Sequence, residues 1–484
     1  MTSPFHSAVR VEREAGPGVR LRDLRTGLDL EIDAWPEPPQ GELWDSLLAL
    51  GLFEELPLDA LLARQRRLRR ELHRLRRDEE LLEAVATARD AAAYYRQRPD
   101  AYPALAEAAD LTCYPVLTRQ DLRLHGPDFL TEPGALARRL ADGSLQIART
   151  SGTGGERVQV WSDMEISRLP PDPEAVWGVE IDLATARTAV LTSPVCSPSE
   201  CRLGRAPLQE RVQFGSTLYL NSTEDLFGAP DDLVRNICDE VAAFRPDILL
   251  VNPVYLHRVL RRVDALGLAF PSPRLVLTSY QYCSALQRRF LERRLGVPVR
   301  DLYAATELAG SMIGAQCQYG HLHVREDHVH LEVVEEAGSG LPAGVGRLLV
   351  TTGNPSFPLL RYDVGDIARL AQRDCPCGIG DWAVIELHGR AGETARIGGR
   401  RLTTREVDDV MAAFEGIDFY RLDVAQDEGR LSIVPAPDAE SDMADVAADV
   451  LTTLGLARLR LDVVGRLVPA PSRKFPFLCE GTPS

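Results

Sequence analysis

The chain has 484 residues, of which 45% are hydrophobic and 26% charged, an ordinary composition for a globular protein with two or three domains. Its formal net charge of -16 argues against a general nucleic-acid or anionic-membrane surface. The opening MTSPFHSAVRVERE lacks the apolar core of a signal peptide, and no apolar run is long enough for a transmembrane helix. The nine scattered cysteines are an odd count that favours reduced thiols. We therefore expect a cytoplasmic protein that binds neither nucleic acid nor a membrane.

Residues 1–50 are predicted to form a small N-terminal extension or docking module. Alternating residues in 19–35 predict a hairpin around Thr26-Gly27, and a helix follows at 43–53. The module could dock a partner or carrier, or lie as a flap on the main domain. Residues 58–98 then predict a long helix, and its arginine-rich part indicates a solvated face in this acidic chain.

A loop rich in glycine and hydroxyl side chains, TSGTGGERV, occupies 150–158. Glycine permits positive φ and close backbone approach, and the hydroxyls can donate hydrogen bonds, so the loop could enclose a phosphate. A glycine-rich hairpin turn explains the same letters. The candidate phosphate ligands are Ser151, Gly152, Thr153, Gly154 and Gly155.

Strands and helices alternate from Ala189 to Tyr303, which predicts a mainly parallel sheet wound with helices. Ligands of such sheets bind beyond the carboxyl ends of the strands. The loops there are 252–253, 278–281 and 303–307. The predicted elements are strand 189–193, helix 232–244, strand 247–251, helix 255–266, strand 275–278, helix 284–295 and strand 299–303.

Beyond residue 307 the pattern changes to β structure, with strands at 328–334 and 346–352 and two strands joined by an acidic turn in 358–370. A compact α+β unit follows, made of helix 405–414, a strand pair around 427–429, helix 442–454 and strand 459–463. The prediction is an α/β protein. Its large N-terminal domain, 51–388, has wound, mostly parallel sheets and a β subdomain, and a small mobile α+β domain covers 389–484.

In this order the segments resemble the acyl-adenylate-forming enzymes, and within them the phenylacetate–coenzyme A ligase-like branch. The resemblance covers most of the chain, from about Tyr94 to Lys474. The matching segments are CYPVLTRQDLR at 113–123, TSGTGGERV at 150–158, YAATE at 303–307, RYDVGD at 361–366, GRAGETARIGGRRLTTREVDDV at 389–410 and APSRKFPF at 470–477.

The resemblance implies Mg²⁺- and ATP-dependent activation of a small carboxylic acid as acyl-AMP, followed by transfer to coenzyme A. It assigns the β- and γ-phosphates to 151–155, an α-phosphate oxygen to Thr306 and the Mg²⁺ to Glu307. Lys474 is the implied catalytic lysine. The resemblance also implies that Tyr303 stacks on adenine, that Ser279, Tyr280 and Gln281 line the adenine edge, and that Asp366 binds the ribose hydroxyls. Arg390 would lie near the nucleotide at the domain joint.

Four residues have the types and spacing of a structural zinc site. Cys317, His323, Cys375 and Cys377 provide a Cys3His set, and relatives in the same branch have similar segments. His321 competes with His323 as a ligand, and free cysteines are the alternative interpretation.

Departures from the family pattern bear on the second half of the reaction. Gly392 stands where many relatives have a hinge aspartate, Gly154 replaces a threonine and Ala304 a glycine. The acceptor could therefore be an amine or a carrier protein instead of coenzyme A, or the enzyme could be an adenylyl transferase. A silent nucleotide-binding relative is the more distant alternative. An aryl or arylacetic acid follows from the family alone, and a homodimer is left open. Stretches that could line an acyl pocket contain Tyr219, Asn221, Tyr255 and Tyr282.

Overall fold

The computed structural model divides into two compact units, residues 1–80 and 81–484. In the first unit it describes the backbone of three strands and residues 77–80. In the second unit it describes 81–149, 158–163, 173–193, 207–213, 215–223, 225, 227–308, 312–326, 329–336, 338–352, 354–372, 375–377, 383–437, 439, 443–470 and 474–481.

The first unit contains an antiparallel sheet of β1 (Val9–Arg13), β2 (Val19–Asp23) and β3 (Asp29–Ile32). Strands β2 and β3 are the predicted hairpin, with Val19 opposite Ile32. Strand β1 was not predicted. The helix predicted at 43–53 lies outside the described residues.

The second unit contains the remaining strands. They are β4 (Leu145–Arg149), β5 (Gln159–Asp163), β6 (Thr188–Leu191), β7 (Val212–Gln213), β8 (Thr217–Tyr219), β9 (Ile248–Val251), β10 (Leu275–Thr278), β11 (Val299–Ala304), β12 (Met312–Gln316), β13 (Leu322–Val324), β14 (Val329–Val334), β15 (Gly346–Thr352), β16 (Tyr362–Gln372), β17 (Ala383–Arg390), β18 (Ala395–Ile397), β19 (Arg400–Leu402), β20 (Ile417–Ala425), β21 (Glu428–Pro435), β22 (Arg458–Val463) and β23 (Leu478–Glu480).

Helices lie between these strands. They are α1 (described over 77–91), α2 (Ala93–Arg96), α3 (Arg119–His125), α4 (Leu136–Ala141), α5 (Pro173–Trp177), α6 (Leu208–Arg211), α7 (Asp231–Phe244), α8 (Pro253–Ala265), α9 (Ala285–Leu295), α10 (Thr404–Met411) and α11 (Met443–Leu454), with 3-10 turns at Ala108–Cys113, Gly126–Phe129, Pro133–Ala135 and Thr306–Leu308. Within the described part of the chain, no helix is both long and apolar enough to cross a membrane.

A twelve-stranded mixed sheet organises the second unit, in the order β14-β15-β16-β17-β13-β12-β11-β10-β9-β6-β8-β7. Strands β8, β6, β9, β10 and β11 pair in parallel; the alternating pattern predicted β6, β9, β10 and β11, whereas β8 was not predicted. All four residues of β10 are buried, because helices and strands cover both faces of this part of the sheet. The carboxyl ends of these strands lie at one edge, where the candidate loops follow.

Local capping determines where the helices beside that edge begin. The Asn252 side chain accepts from the backbone N–H groups of Val254 and Tyr255 at the start of α8. Ser284 and Gln287 form a reciprocal capping box at the start of α9, which ends at Gly296 with φ +68°. The loops between strand and helix are therefore fixed at both ends.

The C-terminal α+β segment forms a four-stranded sheet, β22-β21-β20-β23, with α10 and α11 packed on it. Phe419 and Val434 of this segment share a hydrophobic core with the helices α7 and α8. The segment is therefore docked on the large sheet's helical face. The predicted domain boundaries at 50 and 388 stay a prediction.

Two elements differ from their predictions. The helix predicted over 58–98 is described from 77 onward and is interrupted at Ala92, whose backbone is extended, so that Ala93–Arg96 form a separate short helix. Residues 358–370 were expected to form two strands around an acidic turn, but 362–372 form the single strand β16. Gly365 adopts φ +80° within it, so the backbone accommodates an irregularity without ending the strand. The other predicted elements between 189 and 463 lie close to their expected positions.

Candidate functional site

Asp366, Arg390 and Tyr303, which were predicted to bind nucleotide, lie together. Asp366 on β16 pairs in register with Arg390 on β17, and the Arg390 Nε lies 3.5 Å from Asp366 Oδ1. The Tyr303 hydroxyl donates to Asp366 Oδ2 at 2.6 Å. The Asp366 carboxylate raises the pKa of Arg390, so this guanidinium stays charged. The structure therefore presents a fixed carboxylate with a cation and a buried aromatic ring beside it.

Thr306 and Glu307 lie in the 3-10 turn that follows the parallel strand β11. Thr306 is exposed, and Glu307 is hydrogen-bonded to the Tyr362 hydroxyl. Burial raises the pKa of Tyr362, and the nearby Glu307 charge raises it further, so the phenol stays a hydrogen-bond donor to the carboxylate. One oriented carboxylate beside an accessible hydroxyl fits a magnesium ion that takes its other ligands from phosphate and water.

Lys474 lies near the joint between the large sheet and the C-terminal segment. It is the only lysine in the sequence, although lysine and arginine together number 55. Its charge acts on the Glu393 carboxyl, together with the charges of Arg390 and Asp366. Burial raises the pKa of Glu393, and Arg390 and Lys474 oppose that rise. Glu393 is therefore within electrostatic reach of three residues that were predicted separately.

Ser279, Tyr280 and Gln281 follow β10 at the carboxyl edge of the sheet. The Ser279 N–H donates to Val251 O at 2.9 Å, which extends the parallel pairing past the end of the strand. Tyr280 adopts φ +70°, a conformation that costs a bulky residue about 1 kcal/mol or more. The Gln281 side chain is hydrogen-bonded to the main chain of Phe475, next to Lys474.

The predicted phosphate loop lies outside the described residues. Its flanking strands are described, and they are β4 and β5, which pair antiparallel with Arg149 opposite Gln159. The residues Ser151, Gly152, Thr153, Gly154 and Gly155 therefore stay predicted phosphate ligands.

Two buried polar side chains lie just beyond the ends of parallel strands. Thr192 follows β6 and Asn221 lies two residues after β8, and they are 4% and 6% exposed. Among the described residues, Thr192 Oγ1 and Asn221 Oδ1 have no hydrogen-bond partner, although both atoms are buried. A buried polar atom without a partner costs about 1–3 kcal/mol. Asn221 was an acyl-pocket candidate, whereas Thr192 was given no role, because it was predicted to lie within the strand 189–193.

Cysteine and histidine side chains converge where β12, β13 and β17 meet. The ligand atoms of Cys317, His321, His323 and Cys375 lie within 4.8 Å of one another. Cys317 Sγ is 3.6 Å from Cys375 Sγ, and His321 Nδ1 is 3.2 Å from Cys375 Sγ. Tetrahedral zinc, with bonds of roughly 2.0–2.3 Å, holds its ligand atoms at about this spacing.

The fifth candidate, Cys377, contacts one member of the cluster. Its Sγ lies 3.3 Å from His323 Nε2. Within the described part of the chain, His323 Nδ1 is buried without a hydrogen-bond partner, and burial together with His321 lowers the pKa of His323 to about 4. The predicted histidine is thus a neutral imidazole among thiols, a donor set that fits zinc. His321 and Cys377 compete for the fourth position.

The sequence matches curated phenylacetate-coenzyme A ligases. It is 29% identical to that of Thermus thermophilus over 197 residues, 39% of this chain and 44% of the relative. It is 25% identical to that of Escherichia coli K12 over 193 residues, 37% of this chain and 43% of the relative. The matched region thus spans less than half the length of these curated relatives. No family model matches the chain.

Solved structures show the same fold. A 2-hydroxyisobutyryl-CoA ligase in the postadenylation state, in complex with R3-HIB-AMP, gives a TM-score of 0.62 at 16% identity, with 83% of this chain and 88% of that chain covered. The same ligase with 2-HIB-AMP and CoA, in the thioesterification state, gives 0.50 at 17% identity, with 81% and 88% covered. This chain therefore has the fold of acyl-AMP-forming coenzyme A ligases, and its sequence resembles the phenylacetate–coenzyme A ligase-like branch of the acyl-adenylate-forming enzymes.

Proposed function

We propose that this chain activates a small carboxylic acid with ATP and transfers the acyl group to coenzyme A. The observation that carries the proposal is that Glu393 lies within electrostatic reach of Asp366, Arg390 and Lys474, of which Asp366 and Arg390 are paired on neighbouring strands and Lys474 comes from a distant segment of the chain. The curated relatives and the fold support the same reaction class.

The first half-reaction joins two anions and therefore needs positive charge and fixed geometry. A carboxylate oxygen of the acid attacks the α-phosphorus of ATP, and the bond to the bridging oxygen breaks as pyrophosphate leaves. In this proposal Asp366 accepts hydrogen bonds from the ribose hydroxyls, with Arg390 beside it. Tyr303 lies against adenine, and Ser279 and Tyr280 line its edge.

Other residues bind the phosphates of ATP and offset their negative charge. Thr306 donates to an α-phosphate oxygen, and residues 151–155 hold the β- and γ-phosphates. Glu307 would hold Mg²⁺, which lowers the charge that the incoming carboxylate meets. Lys474 brings an ammonium to the oxygens between the acid and the α-phosphorus, where charge develops. In a site that excludes water this contact is stronger than it would be in solution.

The second half-reaction transfers the acyl group. The coenzyme A thiolate attacks the carbonyl carbon of acyl-AMP, a carbon–sulfur bond forms, and AMP leaves with the bonding electrons. We infer an aryl or arylacetic acid as the substrate class, because the curated relatives are phenylacetate-coenzyme A ligases. A cytoplasmic location and a homodimer stay predictions.

A structural zinc ion is part of the proposal. The cysteine and histidine cluster joins the turn between β12 and β13 to the segment before β17. Four protein ligands leave no open position for substrate or water, so the ion would link loops without taking part in the chemistry.

One observation favours a different acceptor. Gly392 lies exposed at the predicted hinge, and a Cβ added there would meet no atom within 4 Å. Neither space nor backbone conformation therefore requires glycine where relatives have aspartate. A changed hinge would alter the thioester step, which makes an amine or carrier-protein acceptor the second candidate.

ATP–pyrophosphate exchange tests the first half-reaction. Wild type and Lys474→Ala would be assayed with aryl, arylacetic and short aliphatic acids, and Lys474→Arg would serve as the charge-matched control. We expect acid-dependent exchange that falls by at least about 100-fold in Lys474→Ala, because an ammonium aimed at developing charge contributes on that order. Exchange that survives this substitution would refute the role of Lys474.

No exchange with any acid, in folded protein, would refute adenylation itself. Addition of coenzyme A, an amine or a carrier protein to the active mixture then identifies the acceptor. Thioester formation supports the main proposal, and amide formation without thioester supports the second candidate.

A further inference from the structure

A side-chain amide joins the large sheet to the peptide beside Lys474. Gln281 Nε2 donates to Phe475 O at 2.7 Å, and the Phe475 N–H donates to Gln281 Oε1 at 3.2 Å. One glutamine thus pairs with both the donor and the acceptor of a single residue. A primary amide is the side-chain type that can make this pair without carrying charge.

Ala470 and Phe475 make the described contacts beside Lys474. On its N-terminal side, the Ala470 N–H donates to the Lys474 carbonyl at 2.8 Å. On its C-terminal side, Phe475 is 4% exposed, and its ring centroid lies 5.9 Å from that of Phe227. The Lys474 carbonyl and the following peptide therefore have hydrogen-bond partners in this arrangement, and the Lys474 charge lowers the pKa of Glu393.

Gln281 is itself held from the large sheet. It follows Ser279, whose N–H continues the pairing of β10 with β9, and Tyr280, whose φ is +70°. A positive φ at a tyrosine persists where the surrounding structure determines it. The loop therefore presents the Gln281 amide to the C-terminal segment from a rigid support.

We propose that Gln281 is a positioning residue for Lys474, which places the ammonium for acyl-adenylate formation by holding the Phe475 backbone. This inference rests on the proposed function, because Lys474 acts only if the chain forms an adenylate. It differs from the role that the resemblance implied for Gln281, at the edge of adenine. It also predicts that Gln281 is dispensable once acyl-AMP has formed.

Two variants separate these roles. Gln281→Met keeps the length of the side chain and removes both hydrogen bonds, whereas Gln281→Glu keeps an acceptor and loses the donor. For both we expect kcat for pyrophosphate exchange to fall about 10- to 100-fold, as loss of two hydrogen bonds to a positioned group predicts. The KM for ATP should stay within about twofold, because no contact to nucleotide is lost.

The thioester half-reaction provides the internal comparison. With purified acyl-AMP and coenzyme A supplied, both variants should form thioester at the wild-type rate. Arg289→Ala is the control, since Arg289 donates to Ala412 O at 2.9 Å and joins the same two parts of the protein away from Lys474. We expect this control to keep kcat for exchange within about threefold of wild type.

A second readout does not require activity. Because Lys474 is the only lysine, an amine-reactive acylating reagent labels Lys474 and the N-terminal amine, and mass spectrometry separates the two. We expect Lys474 in Gln281→Met to react several times faster than in wild type, with the N-terminal rate unchanged. Equal labelling rates of Lys474 in wild type and Gln281→Met would show that Gln281 does not hold the backbone beside Lys474 in solution.

Three kinetic outcomes would overturn the proposal. A raised KM for ATP with kcat preserved would place Gln281 on the nucleotide. An equal loss in both half-reactions would show a general structural role, and an unchanged kcat would show no role. If wild-type protein shows no ATP–pyrophosphate exchange with any acid, the proposed function is overturned, and the catalytic role of Gln281 with it. The labelling rates test separately whether Gln281 holds the Phe475 backbone.

Discussion

The Asp408 carboxyl shows how one residue can be satisfied by hydrogen bonds and still be electrostatically unfavourable. Its oxygens accept from the Ala285 N–H at 3.0 Å, the Tyr420 hydroxyl at 2.9 Å and the Tyr282 hydroxyl at 3.2 Å. Burial nevertheless raises its pKa to about 6, from the ordinary 3.8 of an aspartate. The three donors oppose this rise without cancelling it. Tyr282, an acyl-pocket candidate, is thus engaged by α10.

This raised pKa predicts a specific dependence of stability on pH. The folded protein keeps a proton on Asp408 that the unfolded chain releases between about pH 4 and pH 6, so the free energy of unfolding falls as pH rises through this window. The loss should approach about 3 kcal/mol above pH 6. Denaturant unfolding of wild type and Asp408→Asn at pH 4–7 isolates the effect, because the variant cannot titrate there. If the free energy of unfolding of the two proteins varied with pH in parallel, the result would contradict a titration of Asp408 in this range.

Site residues that lie in a local sequence motif could be predicted as candidates, whereas contacts between distant segments could not. Asp366, Glu307 and Lys474 lie in short motifs that resemble a known family, so their neighbours in sequence reveal them. The contact of Gln281 with Phe475 joins positions 194 residues apart, and no local pattern encodes it. The rarity of lysine was visible in the sequence and marks Lys474 independently of any family.

At the scale of elements, the strand β13 carries part of the cysteine and histidine cluster. His323 lies in β13, which pairs with β12 on one side and β17 on the other. Cys317 and His321 belong to the tight turn that precedes it, where the Cys317 N–H donates to His321 O at 2.8 Å. This turn brings the two side chains to one side, which favours His321 over Cys377 as the fourth ligand.

We therefore predict that His321→Ala loses bound zinc and that Cys377→Ser retains it. Wild type should carry about one zinc per chain after dialysis against a weak chelator, as a closed four-ligand site does. Elemental analysis of the dialysed proteins measures the ratio, and His330→Ala, on β14, serves as the control. The reverse order of the two variants would assign Cys377 to the site.

Whether a strand could be predicted from the sequence depends on whether local pattern or tertiary pairing determines it. Strands β9 and β10 are largely buried and read as short apolar runs between amphipathic helices, so their positions followed from the pattern. Strand β8, with three residues, was too short to be predicted. Strand β16 contains Asp363, Gly365 and Asp366, which read as a turn. Its length results from pairing with β15 and β17, a tertiary effect that overrides local preference.

At the scale of the whole second unit, separate polar contacts hold the C-terminal segment on the large sheet's helices. Besides the Gln281 and Asp408 contacts, Asp418 Oδ1 accepts from the Arg261 Nε at 3.0 Å and lies 3.3 Å from His257 Nε2. His257 also stacks on Phe290, with ring centroids 4.0 Å apart.

Asp418 should be the contact on which docking depends most. Asp418 is 4% exposed. Burial raises its pKa, but His257 and Arg261 lower it by more, so the pKa lies below its ordinary value and Asp418 stays ionised beside Arg261. Removal of one partner from a buried ion pair costs about 3–5 kcal/mol, because the other charge is left uncompensated. Asp418→Asn should therefore loosen the docked segment while its own sheet stays folded.

Hydrogen–deuterium exchange measures this loosening. In Asp418→Asn we expect faster exchange at the docked faces, in 253–265 and 281–290, and unchanged exchange in the β21–β22 pairing, which lies within the C-terminal sheet. Asp423→Asn is the matched control, because Asp423 lies on the same strand and accepts from Arg421 of that strand at 2.7 Å. If both variants exchange alike, Asp418 does not hold the two parts together. If β21 and β22 also exchange faster, Asp418 stabilises the C-terminal sheet itself, and docking must depend on Gln281 and Asp408.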